Sequence, residues 1–561
     1  MNPAERLRLQ LERVAAELGA EGAAVQLERP RNPEHGDWST NLAMVLAGRL
    51  KRPPRQIAQD ILDRLSLAGA GVAGAEVAGA GFLNFRLAGA VLHEELARLV
   101  AADRAWGRSA AAARERIQVE FVSANPTGPL HVAHGRGAAL GDGIASLLQW
   151  TGHEVEREFY INDAGVQVGK LGESLDARWL ELQGLDAANP EGGYHGTYVS
   201  ELAKRVDGEH HGRLVGMDPI ERVEFLRGWG VAALEAEQDA TLRDFRVLMD
   251  SYYPESRLYG EQLVQQTLRE LEERGLTYES EGAVWLRTAA FGDDKDRVLV
   301  KSDGSYTYFA PDIAYHREKI RRDFDHGIDI WGADHHGYVP RMQAALAALG
   351  HPGFLDVEIV QMVRIVRGGE EVKMSKRAGE FVTLRDLFEE TGVDVARYFF
   401  LMRRGDAQML FDLDLALDHS EKNPVYKIQY AHARMSSIFR KADVEAEAID
   451  PAAADLSLLA GEVEQALIKQ LGQFPELVAR AAEARGPHLV CEYLEETAGM
   501  VNSWYHAGNP TRNPELAVLV PDPALRAARL VLARGVQVVL RNGLELLGLV
   551  APERMEREES A

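Results

Sequence analysis

The sequence predicts a multidomain α/β protein: a parallel-sheet domain stands between an α+β N-terminal domain and a C-terminal α-helical bundle. Three observations predict this fold class. A chain of 561 residues with 46% hydrophobic side chains is long enough to bury several cores. A strand–helix–strand pattern begins near residue 116, and beyond residue 415 the apolar spacing is that of helices.

Changes in composition mark the expected domain boundaries. The first domain, 1–110, contains a helical stretch, the Gly/Ala-rich tract LAGAGVAGAEVAGAGFLNFRL and a linking segment. The parallel-sheet domain is expected over 111–365, with an insertion at about 165–280 between the halves of the sheet. A connecting region over 366–415 leads to the helical domain, 416–561.

Charge and cysteine content narrow the range of functions. The formal net charge of −23 disfavours a non-specific nucleic-acid binder, because an acidic surface repels phosphate, but it leaves specific RNA contact open. A single cysteine, Cys491, excludes an internal disulfide and a thiolate-rich zinc site. No apolar window is long enough for a membrane span or a signal peptide, so the cytoplasm is the expected location.

The strand–helix–strand unit opens the parallel-sheet domain. In RIQVEFV, the apolar residues Ile117, Val119 and Phe121 alternate with polar ones, as in a strand. HVAHGRGAALGDGIASLLQW then has helical spacing, and TGHEVEREFYI returns to strand alternation. Open parallel sheets bind ligands beyond the carboxyl ends of their strands, where the N–H groups of a helix start favour an anion. A ligand site is therefore expected after the first strand.

Two histidines stand at the start of that helix, in FVSANPTGPLHVAHGRG. His131 and His134 are three positions apart, so they project on the same side of the first turn and can both donate to phosphate oxygens. Gly135 and Gly137 leave room for a flat ring or a close backbone approach. At this point a surface pair of histidines and half of a metal site remain open, although the sequence forces no further metal ligand.

The second cluster of functional residues is GGEEVKMSKRAGEFVTL, 368–384. Its cations and hydroxyl are those of Lys373, Ser375, Lys376 and Arg377. Such a segment suits an anion with several negative charges, in particular one that gains charge in a transition state. Taken alone, it is more simply a solvated turn.

Together the two segments resemble the signatures of class I aminoacyl-tRNA synthetases. HVAHG is similar to HIGH, with Val132 and Ala133 at the middle positions, and KMSKR matches KMSKS except at Arg377. The two lie roughly 240 residues apart. Further segments resemble one family of this class, the arginyl-tRNA synthetases: VEFVSANPTGPLHVAHGR, YINDAG, YTYFAPDIAYH, GADHHGY, NPVYKIQYAHAR, LLGLVAPERM and, near the N-terminus, NPEHGDWSTNLA and GAGFLNF. The resemblance covers nearly the whole chain.

The resemblance implies a Rossmann-like catalytic domain, an N-terminal domain that contacts the tRNA elbow and a helical anticodon-binding domain. It implies an arginine–tRNA ligase. The α-carboxylate of L-arginine attacks the α-phosphate of ATP, and arginine then passes from the adenylate to the 2′-OH of the terminal adenosine of tRNA(Arg). ATP would carry Mg²⁺, no metal site of the protein's own is expected, and the chain would be a monomer.

The resemblance also implies which residues act on ATP. The expected catalytic residues are His131, His134, Lys373 and Lys376. The expected ATP contacts are His131, His134, Gly135, Gly137, Met374, Ser375 and Lys376. The histidines would hold the triphosphate, Gly135 would let the adenine lie against the helix start, and the lysines would stabilise the departing pyrophosphate.

The implied arginine contacts are Glu120, Ser123, Asn125, Tyr308, Asp312 and His335. A guanidinium needs planar acceptors, which the carboxylates of Glu120 and Asp312 would supply. Tyr308 would form a wall, Asn125 would fix the backbone end of the substrate, and His335 would lie near ATP or arginine. Without the resemblance, Glu120 would be an exposed strand residue and Asp312 a helix cap.

The implied tRNA contacts are Asn41, Asn84, Tyr426, Tyr430 and Arg434. Aromatic and cationic side chains can stack on unpaired bases and touch phosphates, and amides can read base edges. Either asparagine could instead cap a turn, and the tyrosines could be core residues. The bundle itself is predicted by Val463, Leu467, Leu471 and Phe474 at helical spacing and by Asp522 as the N-cap of its last long helix.

Two other functions remain open: a class I synthetase for another amino acid, and a non-catalytic tRNA-binding relative. The second predicts damage to the histidine or lysine signature, and both signatures are intact. No editing site is expected, because the size and charge of arginine allow sufficient discrimination in binding.

Overall fold

A computed structural model describes residues 3–30, 32–372, 383–508 and 513–555. The elements of the N-terminal unit are α1 (Pro3–Glu17), β1 (Trp38–Thr40), α2 (Leu42–Leu50), α3 (Pro54–Arg64), α4 (Leu67–Ala70), β2 (Val72–Ala78) and β3 (Phe82–Leu87). The strands form an antiparallel sheet in the order β1-β3-β2. The amphipathic helices bury Leu7, Leu11, Ile57 and Ile61 in a small core with Phe85 of the sheet.

The following elements are α5 (Gly89–Ala102), β4 (Arg116–Glu120), α6 (Val132–Trp150), β5 (Glu154–Ile161), α7 (Val166–Leu182), α8 (Thr197–Val215), α9 (Pro219–Asp244) and β6 (Ser251–Pro254). Although α5 precedes residue 110, it does not pack in the small core. Its residues Leu92, Leu96 and Leu99 lie in the large core that contains the central sheet and the C-terminal helices. The small core therefore ends at Leu87.

The middle of the chain continues with α10 (Ser256–Gly260), α11 (Leu263–Glu273), β7 (Thr277–Ser280), β8 (Ala283–Leu286), β9 (Arg297–Val300), α12 (Phe309–Arg321), β10 (His326–Gly332), α13 (Val339–Ala348), β11 (Leu355–Val360), β12 (Val363–Arg367), β13 (Glu370–Glu371), α14 (Leu384–Thr391), α15 (Val393–Leu401), β14 (Met409–Asp412) and α16 (Leu413–Ala416). The central sheet has the order β11-β10-β4-β5-β6, and all its neighbouring strands are parallel. Its two halves meet at β4, the switch point where such sheets bind ligands. The predicted Rossmann-like sheet is thereby confirmed.

The predicted insertion of about 165–280 divides into two parts. The helices α7, α8 and α9 form a unit with its own core around Leu171, Leu175 and Leu226. The chain then returns to the central sheet as β6, before the antiparallel sheet β7-β8-β9. A four-residue strand, SYYP, gives too short a pattern for the sequence to reveal it.

The C-terminal helices are α17 (Pro424–Ala442), α18 (Glu462–Gly472), α19 (Phe474–Glu483), α20 (Pro487–Ala507) and α21 (Pro523–Leu546). Asp522 caps α21 as predicted, with its side chain accepting from the N–H groups of Ala524 and Leu525. The run from Val463 to Phe474 is not one helix face, because α18 ends at Gly472 and α19 begins at Phe474.

Short 3₁₀ helices lie at Pro33–His35, Asp103–Ala105, Thr288–Phe291, Ala333–Tyr338, Ala446–Ala448, Pro451–Ala453, Leu456–Leu458 and Pro514–Leu516. None of the helices within the described ranges combines the length and the apolar character needed to cross a membrane.

Candidate active site

The histidine pair lies where α6 begins, beyond the carboxyl end of β4. The backbone N–H of His131 donates to Nδ1 of His134 over 3.3 Å, and the two rings stack with their centroids 3.6 Å apart. Because Nδ1 accepts, the neutral His134 ring carries its proton on Nε2. Burial, together with the neighbouring His131, lowers the pKa of His134 to about 3. His134 is therefore a neutral donor that can bind a phosphate oxygen.

The lowered pKa of His134 gives a prediction for its titration. We expect the ring to stay neutral between about pH 5 and 8, whereas an ordinary histidine changes charge in this range. Because the folded-state pKa of about 3 lies below the ordinary 6.5, the unfolded chain binds the proton first as pH falls. The titration of His134 therefore lowers the free energy of unfolding as pH falls below about 6.5. NMR titration of the ring, assigned with His134→Gln, measures this; a midpoint near 6.5 would contradict it.

The two glycines after the histidines have different surroundings. A Cβ on Gly135 would lie 2.4 Å from Cδ1 of Leu384 and 3.1 Å from Cε2 of Phe400, so the absence of a side chain lets α6 pack against α14 and α15. A side chain at 135 would therefore meet protein atoms, and the adenine contact of Gly135 stays a prediction. Beside Gly137 nothing lies within 4 Å. Open space for a ligand thus exists at the second glycine.

The lysine segment rejoins the described chain next to the histidine pair. Five of its candidate functional residues lie outside the described residues: Lys373, Met374, Ser375, Lys376 and Arg377. After them, Thr383 forms an antiparallel bridge with His131, and the N–H of Leu384 donates to the carbonyl of Leu130 over 2.8 Å. Thr383 also caps α14 by accepting from the N–H of Asp386. The end of the lysine segment is therefore fixed beside His131.

A buried charge cluster joins β4, β10 and α12. Nζ of Lys319 donates to Oε2 of Glu120 over 2.6 Å and to Oδ1 of Asp329 over 2.7 Å. Burial opposes the ionisation of Asp329, but Lys319 and His316 outweigh it and hold its pKa at about 2. Burial raises the pKa of Glu120, against the opposing charge of Lys319. Glu120 is thus a buried group, which excludes the alternative of an exposed strand residue.

Ser123 and Asn125 lie on the loop between β4 and α6. Oγ of Ser123 donates to Oε1 of Glu120 over 3.0 Å and accepts from the N–H of Tyr160 over 3.2 Å. Asn125 is exposed, and its Nδ2 donates to Oε1 of Gln167 over 2.7 Å. The serine therefore orients the Glu120 carboxylate, while the asparagine faces the open edge of the sheet.

Asp312 lies in the first turn of α12, close to the end of β10. Oδ2 of Asp312 accepts from the hydroxyl of Tyr338 over 2.6 Å. Its side chain does not occupy the N-cap position, which belongs to Tyr308. Burial raises the pKa of the Asp312 carboxyl, and the hydrogen bond from Tyr338 opposes this. Asp312 is thus held by a side chain of the 3₁₀ helix that follows β10.

The sequence reasoning missed two groups at this site, Tyr160 and Glu255. Burial raises the pKa of the Tyr160 phenol, and the charges of Glu255, Asp312 and Glu120 raise it further, in that order. The carboxylates of Glu255, Asp312 and Glu120 therefore lie close enough to the Tyr160 hydroxyl to raise its pKa. Glu255 follows β6 directly, at the carboxyl end of a parallel strand, but β6 is too short to be recognised from the sequence, so no signal marked Glu255.

Two further predicted contacts lie at the same edge of the sheet. Tyr308 precedes α12 and is 83% exposed. His335 belongs to the 3₁₀ helix after β10, where its ring packs edge-on against Trp331 at 6.3 Å. Both side chains are accessible to a bound substrate.

The predicted tRNA contacts of the N-terminal unit differ in their surroundings. Asn41 stands at the N-cap position of α2 but makes no capping hydrogen bond with its side chain. Asn84 is 5% exposed, and its Oδ1 accepts from the hydroxyl of Ser39 over 2.9 Å. Asn84 is therefore a buried residue of β3 that bonds to β1, and its contact with a tRNA base stays a prediction.

The predicted tRNA contacts of the helical domain differ in the same way. Tyr426 and Tyr430 are half-buried on α17 and stack with centroids 5.7 Å apart. Arg434 is buried; it donates to Oδ1 of Asn502 over 2.6 Å, and its guanidinium lies 4.4 Å from the Tyr430 ring and 4.9 Å from that of Tyr505. The guanidinium of Arg434 is therefore enclosed by the bundle, and its contact with tRNA stays a prediction.

The fold and site define a class I aminoacyl-tRNA synthetase: a parallel sheet has a histidine pair at its carboxyl edge, and Thr383, which follows the KMSK motif in sequence, lies beside that pair. Three family models match the sequence. The model for tRNA synthetases class I (R), catalytic domain, matches 95–191 and 231–404. The arginyl tRNA synthetase N terminal domain matches 4–87, and the DALR anticodon binding domain matches 428–555.

Individual proteins resemble the chain over its whole length. An arginine–tRNA ligase of Geobacillus kaustophilus is 46% identical over 556 residues, which are 98% of this chain and 99% of that protein. One of Bacillus subtilis is 46% identical over 95% of this chain and 94% of its own. The crystal structure of Thermus thermophilus arginyl-tRNA synthetase superposes with a TM-score of 0.76 at 27% identity, covering 98% of this chain and 100% of that one. The chain belongs to the arginyl-tRNA synthetase family.

Proposed function

We infer that this chain is an arginine–tRNA ligase, which activates L-arginine with ATP and transfers it to tRNA(Arg). The observation that carries the inference is the 46% identity with an arginine–tRNA ligase over 98% of the chain. The intact histidine and lysine signatures argue against a non-catalytic relative. The match of the N-terminal unit to a domain of arginyl tRNA synthetase argues against a synthetase for another amino acid.

The charge balance of the site supports binding of a guanidinium. In the buried cluster, two carboxylates, Glu120 and Asp329, share the ammonium of Lys319, and Asp329 also pairs with the ring of His316 over 2.8 Å. Asp312 and Glu255 add further acidic groups beside Tyr160. A guanidinium keeps its charge at any physiological pH and pairs best with planar carboxylates. We therefore propose that Glu120 and Asp312 bind the arginine side chain.

The start of α6 supports binding of the ATP phosphates. His134 presents a neutral N–H donor, and the space beside Gly137 is open. Lys376 and Thr383 are seven positions apart, and an extended chain spans at most about 25 Å over this length. Because Thr383 bridges His131, this length lets the lysine reach a triphosphate that the histidines hold.

The chemistry of both steps requires positioning and charge stabilisation rather than a protein nucleophile. In the first step, the arginine α-carboxylate attacks the α-phosphate of ATP and pyrophosphate leaves. Donors aimed at the charge that develops on pyrophosphate lower the barrier by about 3 kcal/mol each. In the second step, the 2′-OH of the terminal adenosine attacks the arginyl carbonyl, and AMP leaves.

We propose that Mg²⁺ arrives with ATP. Among the described residues, no group of three or more His, Cys, Asp and Glu side chains is arranged to hold a metal ion. Mg²⁺ commonly keeps several waters and is bound through substrate phosphates with few protein ligands, so the acidic groups present fit this mode. When bound, the ion supplies charge neutralisation at the phosphates.

For tRNA, the stacked pair Tyr426 and Tyr430 offers half-buried aromatic faces on which unpaired bases can stack. We propose these tyrosines and Asn41 as tRNA contacts.

We also propose that the protein is a monomer, since one chain supplies both signature segments. We propose that it acts in the cytoplasm, where ATP and tRNA are found.

Exchange of labelled pyrophosphate into ATP tests the function. We expect exchange that requires L-arginine and tRNA(Arg) together, with none when lysine or methionine replaces arginine. Exchange with another amino acid would indicate a different synthetase, and exchange without tRNA would contradict the expected requirement for tRNA(Arg). No exchange under any condition would indicate a non-catalytic relative.

A further inference from the structure

The helical insertion contacts the loop that leads into the histidine pair. Gln238 of α9 is buried, and its Nε2 donates to the carbonyl of Asn125 over 3.1 Å and to that of Gly128 over 2.8 Å. The hydroxyl of Tyr198 on α8 donates to the carbonyl of Thr127 over 2.7 Å. Three backbone carbonyls of one short loop are therefore held by two side chains of the insertion.

The same part of α9 contacts the helix that follows the lysine segment. Arg385 is the second residue of α14, and its Nη2 donates to Oδ2 of Asp244 over 2.7 Å and to Oγ1 of Thr241 over 3.3 Å. Thr241 and Gln238 are three positions apart on α9, so they lie on one helix face. One face of α9 thus bonds both to the loop before the histidine pair and to α14, the helix after the lysine segment.

The end of α9 is anchored by a fully buried arginine. Nη1 of Arg397 donates to the carbonyls of Phe245 and Arg246 over 3.0 and 3.1 Å. Nη2 donates to Oδ2 of Asp142 on α6 over 2.5 Å and to the carbonyl of Leu547, beyond α21, over 3.1 Å. The helix is therefore fixed to α6, which carries the histidines, and to the anticodon-binding domain.

We propose that the C-terminal half of α9 sets the position of the loop 123–131 relative to the start of α14, the helix that follows the lysine segment, with Gln238 and Arg385 as positioning residues for adenylate formation. The proposal rests on the proposed function. The reaction needs donors from both segments on one triphosphate, and a misplacement of about 1 Å can cost on the order of 100-fold in rate. The unit α7–α9 has its own apolar core, so its folding does not depend on these few polar contacts.

A substitution at Arg385 distinguishes an effect on positioning from an effect on stability. The side chains of Arg385 and Asp244 are 35% and 56% exposed, and exposed ion pairs add little to stability. We expect Arg385→Met to lower kcat for arginine-dependent pyrophosphate exchange by about 10-fold, with the midpoint of thermal unfolding almost unchanged. The matched control is Arg243→Met, which removes an ion pair with Asp239 within α9 itself and should leave kcat unchanged.

Gln238 is tested by two substitutions. Gln238→Met keeps the volume but leaves two carbonyls without their donor, and we expect a fall in kcat of about 10- to 100-fold with smaller changes in KM. Gln238→Glu can donate only when its carboxyl is protonated, and burial favours the protonated form. Its kcat relative to wild type should therefore rise as pH falls from about 8 to 6, whereas that of Gln238→Met should not. A merely structural role would not give this recovery.

Amide hydrogen exchange in the substrate-free chain gives a readout that does not depend on activity. We expect Gln238→Met to accelerate exchange in the loop 123–131, and Arg385→Met to do so around 383–387, while Arg243→Met changes neither. Unchanged exchange in both segments would overturn the proposal, as would unchanged kcat in both variants of an active chain. A wild-type chain without exchange activity would instead refute the proposed function, while the hydrogen-exchange result still decides whether α9 holds the two segments.

Discussion

Asp312→Asn is expected to lower kcat/KM for arginine by about 1,000-fold, because removing one partner of a desolvated charge pair costs about 4 kcal/mol. The amide leaves the guanidinium without one of its carboxylates in a site where burial already raises the pKa of the Asp312 carboxyl. Pyrophosphate exchange in the presence of tRNA(Arg), with arginine varied, gives the value. KM for ATP should change little, since Asp312 is proposed to contact arginine alone.

Tyr338→Phe is the matched control for this prediction. It keeps the Asp312 carboxylate and removes only the 2.6 Å hydrogen bond that holds it. The expected loss is about 10-fold, the value of one hydrogen bond to a charged group. A loss below about 10-fold for a folded Asp312→Asn chain would show that this carboxylate does not bind the substrate side chain.

Lys376→Ala is expected to lower kcat by about 1,000-fold, while KM for ATP and for arginine changes only a few-fold. An ammonium that meets charge developing on pyrophosphate stabilises the transition state more than the ground state, so its loss appears in kcat. Steady-state exchange kinetics with each substrate varied separate the two parameters. Equal losses in rate and in substrate binding would count against the role.

Arg377→Ala supplies the comparison within the same segment. It also removes a cation, but at the position where the class signature has serine, so it should cost far less than Lys376→Ala. Similar losses for the two substitutions would indicate that the segment acts through its total charge rather than through one aimed lysine.

The parts of the fold that could be predicted from the sequence depend on local patterns. The alternation of Ile117, Val119 and Phe121 identified β4, and the histidines at its carboxyl end followed from the next turn. Asp312 was identified as a candidate only because the segment YTYFAPDIAYH resembles the family. Glu255 and Tyr160 were missed because their relation to Asp312 is created by the folding of distant segments, which no local spacing reveals.

The surroundings of two predicted tRNA contacts could not be foreseen from the sequence. Amides and guanidinium groups usually lie at the surface, but Asn84 and Arg434 do not. Both are buried because partners distant in sequence satisfy them: Ser39 lies 45 residues from Asn84, and Asn502 lies 68 residues from Arg434. Likewise, the space at Gly135 depends on Leu384 and Phe400, which only the folded chain brings there.

The most direct measurement is a crystal structure of the chain with arginine and a non-hydrolysable ATP analogue. We expect a single triphosphate with its oxygens within hydrogen-bond distance, about 3 Å, of both Nε2 of His134 and the ammonium of Lys376. A triphosphate that contacts the histidines while the lysine faces solvent on another side of the molecule, in every copy observed, would contradict it.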